Sequence, residues 1–144
     1  MIEQDTVRLL RECDAGAKMG IDALTDVIGR VDSDSLRELL KDSKEEHERL
    51  AQEAQKQLDR FQDQGRAPSP LASAMTWLKT NMELMADGTD GKIADLMTDG
   101  CNMGVKSLSR YLNQYQAADE DSKALAQKLI GEEEALSQKI RPFL

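Results

Sequence analysis

Apolar residues recur along most of the chain at alternating spacings of three and four, the period of a helix that buries one face. Val7, Leu10, Asp14, Ala17, Ile21, Leu24 and Ile28 form one such series, which predicts a first helix over 4–30 with one acid set into its inner side. Val31, Asp32, Ser33 and Asp34 make a turn, and Ser35 with Glu38 has the spacing of a capping box that opens a second helix. The inner face of that helix reads Leu36, Leu39, Leu40, Ser43, His47, Leu50, Ala54, Leu58 and Phe61, with Gly65 as its natural C-terminal stop. Ser69 followed by Pro70 is a helix start. It predicts a short helix over 71–86 that carries Trp77 and ends at Gly88. A third long helix is expected from Thr89 or Asp90 to Gln116, with Ile93, Leu96, Met97, Gly100, Met103, Gly104, Leu108, Tyr111 and Tyr115 facing in. Asp119 or Asp121 caps a fourth, whose inner residues are Leu125, Leu129, Glu132, Leu136, Ile140 and Phe143.

The connections between these elements set the architecture. Short loops at 31–34 and 117–119 force two antiparallel hairpins. The join at 65–89 is long enough to travel most of the bundle's length, which would set the third long helix parallel to the second. The expected fold is therefore all-α: an antiparallel four-helix bundle of ferritin-like topology, with a short extra helix in the long crossover between helices 2 and 3. Residues 1–144 form a single domain. An up-down-up-down bundle, which needs no such crossover, is the second choice.

Composition agrees and removes several function classes. The 144 residues are 40% hydrophobic and 32% charged, a globular balance, and with 3% aromatics the core must be aliphatic. A formal charge of -8 repels phosphate backbones and argues against nucleic acid as a partner. The sequence has no apolar run of the roughly 18 residues that a membrane span requires, and its first residues lack a signal peptide's apolar stretch. A cytoplasmic location is the expectation. Cys13 and Cys101 then read as reduced thiols buried as small hydrophobes, since neither belongs to a C-x-x-C pair.

One internal repeat stands out. Gly16, Met19 and Gly20, followed by Ile21, match Gly100, Met103 and Gly104, followed by Val105, at a constant offset and on the first helix of each hairpin. A glycine inside a helix costs about 1 kcal/mol relative to alanine, so four of them need a reason. Close approach of helices 1 and 3 is one; space left for another group is the other. Counting back from the two turns sets Gly20 level with Glu46, Gly16 with Leu50, Gly104 with Glu132 and Gly100 with Leu136. A polar layer at mid-bundle follows, containing Glu46, His47, Glu132, Glu133, Asp14 and Asp99. Glu46 and Glu132, if buried together, would raise each other's pKa and share one proton.

The crossover Pro70-Leu71-Ala72-Ser73-Ala74-Met75-Thr76-Trp77-Leu78-Lys79 and the stretch Ile93-Ala94-Asp95-Leu96-Met97-Thr98-Asp99-Gly100 carry a resemblance to the ferritin-like superfamily. More narrowly, the chain resembles bacterial four-helix proteins of that topology that lack the usual di-iron ligands. Di-iron members of such folds use a Glu from each of two helices and Glu-x-x-His from each of the other two. In this chain Glu46 is followed three residues later by Arg49 and Glu132 by Ala135, the corresponding levels of helices 1 and 3 hold Gly20 and Gly104, and there is one histidine. A di-iron centre is not encoded. Two functional expectations lead, ahead of a catalyst whose site is not recognisable from the residues. In the first, the protein is a non-enzymatic bundle that acts through self-association as a homodimer or through a protein partner, with Gly16, Gly20, Gly100, Gly104 and Trp77 serving packing. In the second, it binds a single metal ion through Glu46, His47, Glu132 and Glu133. No nucleophile–base pair, phosphate loop or Cys/His zinc pattern is present, and no catalytic residue is assigned.

Overall fold

The computed structural model of the chain describes residues 2–63 and 88–144. These form four long helices: α1 (Ile2–Ile28), α2 (Asp34–Asp59), α3 (Asp90–Gln114) and α4 (Glu120–Lys139), followed by a 3-10 turn at Arg141–Phe143. No strand occurs among the described residues. The helix expected over 71–86, with Trp77, lies outside them. Also among the described residues, no helix is long and apolar enough to cross a membrane.

The helix ends show local chemistry at work. Ser33, and not Ser35, caps α2: its hydroxyl accepts from the Leu36 amide at 3.2 Å. Asp34 is thereby the first residue of α2, and the helix starts earlier than the capping-box spacing implied. α1 begins at Ile2 and ends at Ile28, each about two residues from the expected bounds. Thr89 caps α3 and Asp119 caps α4, as the sequence allowed. α2 does not run on to the neighbourhood of Gly65. It closes after Asp59 in a Schellman-type turn in which Asp63 N–H donates to the Leu58 carbonyl and Gln62 N–H to that of Asp59, both at 3.1 Å. Gln62 takes the left-handed conformation this turn requires, with φ 54°.

Packing follows the apolar stripes. α1 packs against α2, α3 and α4, and α4 packs against α2 and α3. The core divides into two clusters. One joins Leu9, Leu10, Cys13 and Ala17 of α1 to Leu50, Ala54 and Leu58 of α2, Leu108 and Tyr111 of α3, and Leu125 and Leu129 of α4. The other joins Ala23, Leu24 and Val27 to Leu36 and Leu40, Ile93, Met97 and Cys101, and Leu136 and Ile140. Both cysteines are buried free thiols.

The two hairpins brace each other reciprocally. Asp90, first residue of α3, accepts the amides of Asp32 and Ser33 in the α1–α2 loop at 2.8 and 2.9 Å. In the first turns of α1, Asp5 accepts the Ala117 amide at 3.1 Å and Thr6 the Asp119 amide at 2.8 Å, both from the α3–α4 loop. Each hairpin's first helix thus satisfies loop amides of the other. Between the two core clusters lies the polar layer.

Candidate functional site

The layer is built from the buried face of α2 and the inner face of α4. His47 is 1% exposed, and Ser43 lies one turn before it on the same face. His47 Nδ1 is 2.7 Å from the Ser43 carbonyl oxygen, which can only accept, so Nδ1 carries a proton. Nε2, at the other end of the ring, bonds Glu133 Oε1 of α4. In a neutral imidazole with that tautomer, Nε2 is an acceptor facing a carboxylate oxygen, and a cation must stand between two acceptors. In the bare protein the cation is a proton. Burial lowers the His47 pKa, but the hydrogen bond and charge of Glu133, the Ser43 carbonyl and the charge of Glu132 outweigh it, and the net direction is upward from the ordinary value. Ser43 Oγ donates to Glu132 Oε1 at 2.9 Å. Desolvation is the largest influence on the half-buried Glu132 and raises its pKa, against the Ser43 hydrogen bond and the His47 charge that lower it.

The structure brings together part of the expected set. His47, Glu132 and Glu133 belong to one network, while Glu46 does not join it. Glu46 turns to the surface and pairs with Arg49, whose hydrogen bond holds its pKa below the ordinary carboxylate value. The expected mutual elevation of Glu46 and Glu132 holds in one direction only: the charge of Glu46 helps to raise the Glu132 pKa, while Arg49 lowers that of Glu46. Asp99 is exposed on α3. Asp14 is 1% exposed and ion-paired with Lys18 at 2.9 Å. Among the described residues, no group of three or more His, Cys, Asp and Glu side chains is arranged to hold a metal ion.

The glycines meet this layer one residue away from the expected register. A Cβ added at Gly20 would stand 2.7 Å from His47 Cδ2 and 3.0 Å from its Nε2, so that edge of the imidazole packs against bare backbone. Gly104 faces Glu133, not Glu132, and a Cβ there would lie 3.5 Å from Glu133 Cγ. In both hairpins the facing residue is the next one along, His47 for Glu46 and Glu133 for Glu132. Gly16, Gly20, Gly100 and Gly104 together wall a small cavity of about 30 Å³, room for a water molecule or two. His47, Glu133 and Cys101 also line it.

Cys101 belongs to the layer, though its position in the sequence gave only a buried small residue. It lines the cavity beside Glu133, and burial first, then the charge and hydrogen bonding of Glu133, push its pKa far up. The signal that pointed there was its place between Gly100 and Gly104 on the repeated face. No family model, curated protein or solved structure matches this chain.

Proposed function

We propose that the chain is an antiparallel four-helix bundle of ferritin-like topology in which the layer that carries paired metals in di-iron relatives has become a packing layer. It acts without catalysis, through a second copy of itself or another protein. The arrangement of the core supports the topology. The first half of α1 shares a cluster with the second half of α2, the second half of α3 and the first half of α4, while the opposite halves share the other. That pattern supports a reading in which α2 and α3 run in one direction and α1 and α4 in the other, as the ferritin-like topology requires.

The observation that carries the functional reading is Gly20 against His47. Helix 1 offers no ligand at this level, and the imidazole fills the space that a ligand side chain would need. Interior carboxylates bonded to Ser43, His47 and Lys18 are committed to the protein itself, so its surface is what it can offer a partner. Light scattering over a range of concentrations tests self-association: a rise to twice the chain mass supports it, and a monomer throughout transfers the role to a different partner. Two iron or manganese ions recovered per chain from protein purified without a chelating tag would sink the whole reading.

A second reading, one metal ion bound in the same layer, is favoured by the opposed acceptors His47 Nε2 and Glu133 Oε1. Its test is uptake of one ion per chain that is lost in His47→Gln.

A further inference from the structure

We propose that the interface between the two hairpins is a docking surface for a second copy of this chain, which engages it by exchanging one hairpin for another. The proposal rests on the self-association reading above and names the surface that carries it. Three observations support it.

The first is that the interface is two-fold in its chemistry. Ser33 and Asp119 are the capping residues of α2 and α4. The Ser33 amide donates to Asp90, at the start of α3, at 2.9 Å, and the Asp119 amide donates to Thr6, near the start of α1, at 2.8 Å. Thr6 and Asp90 are separated along the chain by the same interval as Gly20 and Gly104. Each of these bonds is therefore the other with the hairpins interchanged. Counted from the two caps, Leu40, Leu50 and Ala54 correspond to Ala126, Leu136 and Ile140, and all six are buried. In a two-fold arrangement residue i of one half meets j of the other while j meets i, and only a residue at the axis meets its own counterpart.

The second is the pair that stands at the axis. His47 and Glu133 lie equally far along their helices from Ser33 and Asp119, so each is the other's counterpart, and they bond to one another. Two copies of the first hairpin would set imidazole against imidazole; two copies of the second would set carboxylate against carboxylate. Like groups held together away from water oppose each other's charging. First hairpin against second instead gives an imidazolium N–H and an accepting oxygen. The central pair thus selects unlike hairpins by penalising both like pairings. It makes no distinction between an unlike hairpin of the same chain and one from another copy.

The third is that this joint can part while each hairpin stays whole. The cavity of about 30 Å³ lies on the joint, walled by Gly16 and Gly20 of α1 and Gly100 and Gly104 of α3. A void and a buried polar pair both weaken an interface relative to close apolar packing. Within each hairpin the helices are tied by a short loop, 29–33 or 115–119. Residues 64–87 join the two hairpins, and a chain of that length reaches up to about 80 Å when extended. In the exchanged dimer every contact between hairpins is kept and only its chain of origin changes, which is why such exchange is a low-cost route to a dimer.

The test uses full chains carrying His47→Glu or Glu133→His. Either variant alone opposes like groups at the axis, both in the closed chain and in a dimer exchanged with itself. A dimer exchanged between one chain of each restores both unlike pairs. The two are unfolded in urea, mixed in equal amounts, refolded at high concentration and read by native mass spectrometry. Mixed dimers should outnumber dimers of either variant with itself by more than roughly tenfold, since a buried charge left without its partner is strongly unfavourable. They should also resist urea as the wild type does, whereas each variant refolded alone is weaker or insoluble. The wild type refolded in the same way should yield a dimer too. His47→Glu combined with Glu133→His in one chain reverses the pair and should return wild-type urea resistance; failure to do so overturns the role given to the axis pair. Mixed dimers at only their statistical share, or a mixture no more stable than its components, overturn exchange. A wild type that doubles its mass under those outcomes associates by an outer face, so exchange fails and the self-association reading stands. A wild type and a mixture that both stay monomeric defeat the two together.

Discussion

Alanine at position 20 is the sharpest probe of the central layer. In an open helix, Gly→Ala gains about 1 kcal/mol from reduced backbone freedom and better propensity. At Gly20 the new methyl carbon would lie 2.7 Å from His47 Cδ2, a distance that carbon atoms do not tolerate. The ring cannot slide away cheaply, because its two nitrogens are fixed by the Ser43 carbonyl and Glu133. Relief must come from moving α1 away from α2 or from breaking one of those bonds, with an overpacking cost of about 1–3 kcal/mol. Set against the propensity gain, the net is a loss of up to about 2 kcal/mol. Two other glycines calibrate the measurement. A Cβ at Gly104 would meet Glu133 at an ordinary 3.5 Å, and one at Gly131 would meet nothing within 4 Å. Gly104→Ala and Gly131→Ala should therefore each stabilise by roughly 0.5–1 kcal/mol. Urea denaturation followed by circular dichroism gives all three differences on one scale. If Gly20→Ala proves as stabilising as Gly131→Ala, His47 does not lie against that backbone and the account of the layer fails.

Further predictions rest on separate features. The His47 pKa is raised in the fold, so its contribution to stability is complete below the ordinary value of 6.5 and is lost as pH climbs through the raised value. Metal-free protein should accordingly lose denaturant resistance as pH climbs from below 6.5 through the raised value, and Glu133→Gln should flatten that slope; an unchanged slope in the variant would assign the titration to another group. Asp90→Ala removes acceptors from two loop amides and should cost about 1–2 kcal/mol in the same denaturation assay, where a neutral result would mean water replaces them without penalty. Gln62→Gly relieves a left-handed non-glycine residue and should stabilise by about 1 kcal/mol; a loss would show that the Gln62 side chain contributes contacts worth more than the strain. Cys13 and Cys101, whose pKa values burial drives far up, should resist a thiol reagent such as Ellman's in the native state and react at once in denaturant. Rapid native labelling would contradict the burial of these thiols.

Much of the fold was written locally. Residues 7–28 and 36–58 repeat apolar positions at helical period, and the starts of α3 and α4 are marked by Thr89 and Asp119, whose side chains close their own first turns. The inward aim of His47 was legible as well, because it continues the stripe of Leu36, Leu40, Ser43 and Leu50. Glycines on the repeated face pointed to a place where α1 and α3 carry no side chain, and the cavity lies there. Each of these features depends on neighbours within a few residues, so sequence spacing is enough to reveal it.

Tertiary structure decided which member of each adjacent pair, Glu46 or His47 and Glu132 or Glu133, meets the facing glycine. Successive helical residues are about 100° apart, so a register one residue different from the expected one exchanges an inward side chain for an outward one. With α2 capped by Ser33, His47 rather than Glu46 meets Gly20, and Glu46 is left to Arg49. Glu133 rather than Glu132 meets Gly104, and from there it bonds His47 and lines the cavity with Cys101. Nothing local to α2, α3 or α4 joins these three residues, since they are separated by tens of positions and meet because the hairpins pack. The sequence alone determined where the helices lie and which faces they bury, since those depend on short-range periodicity and capping. Packing between the hairpins determined the chemistry of the centre, because a hydrogen bond between buried groups depends on register to within a single residue.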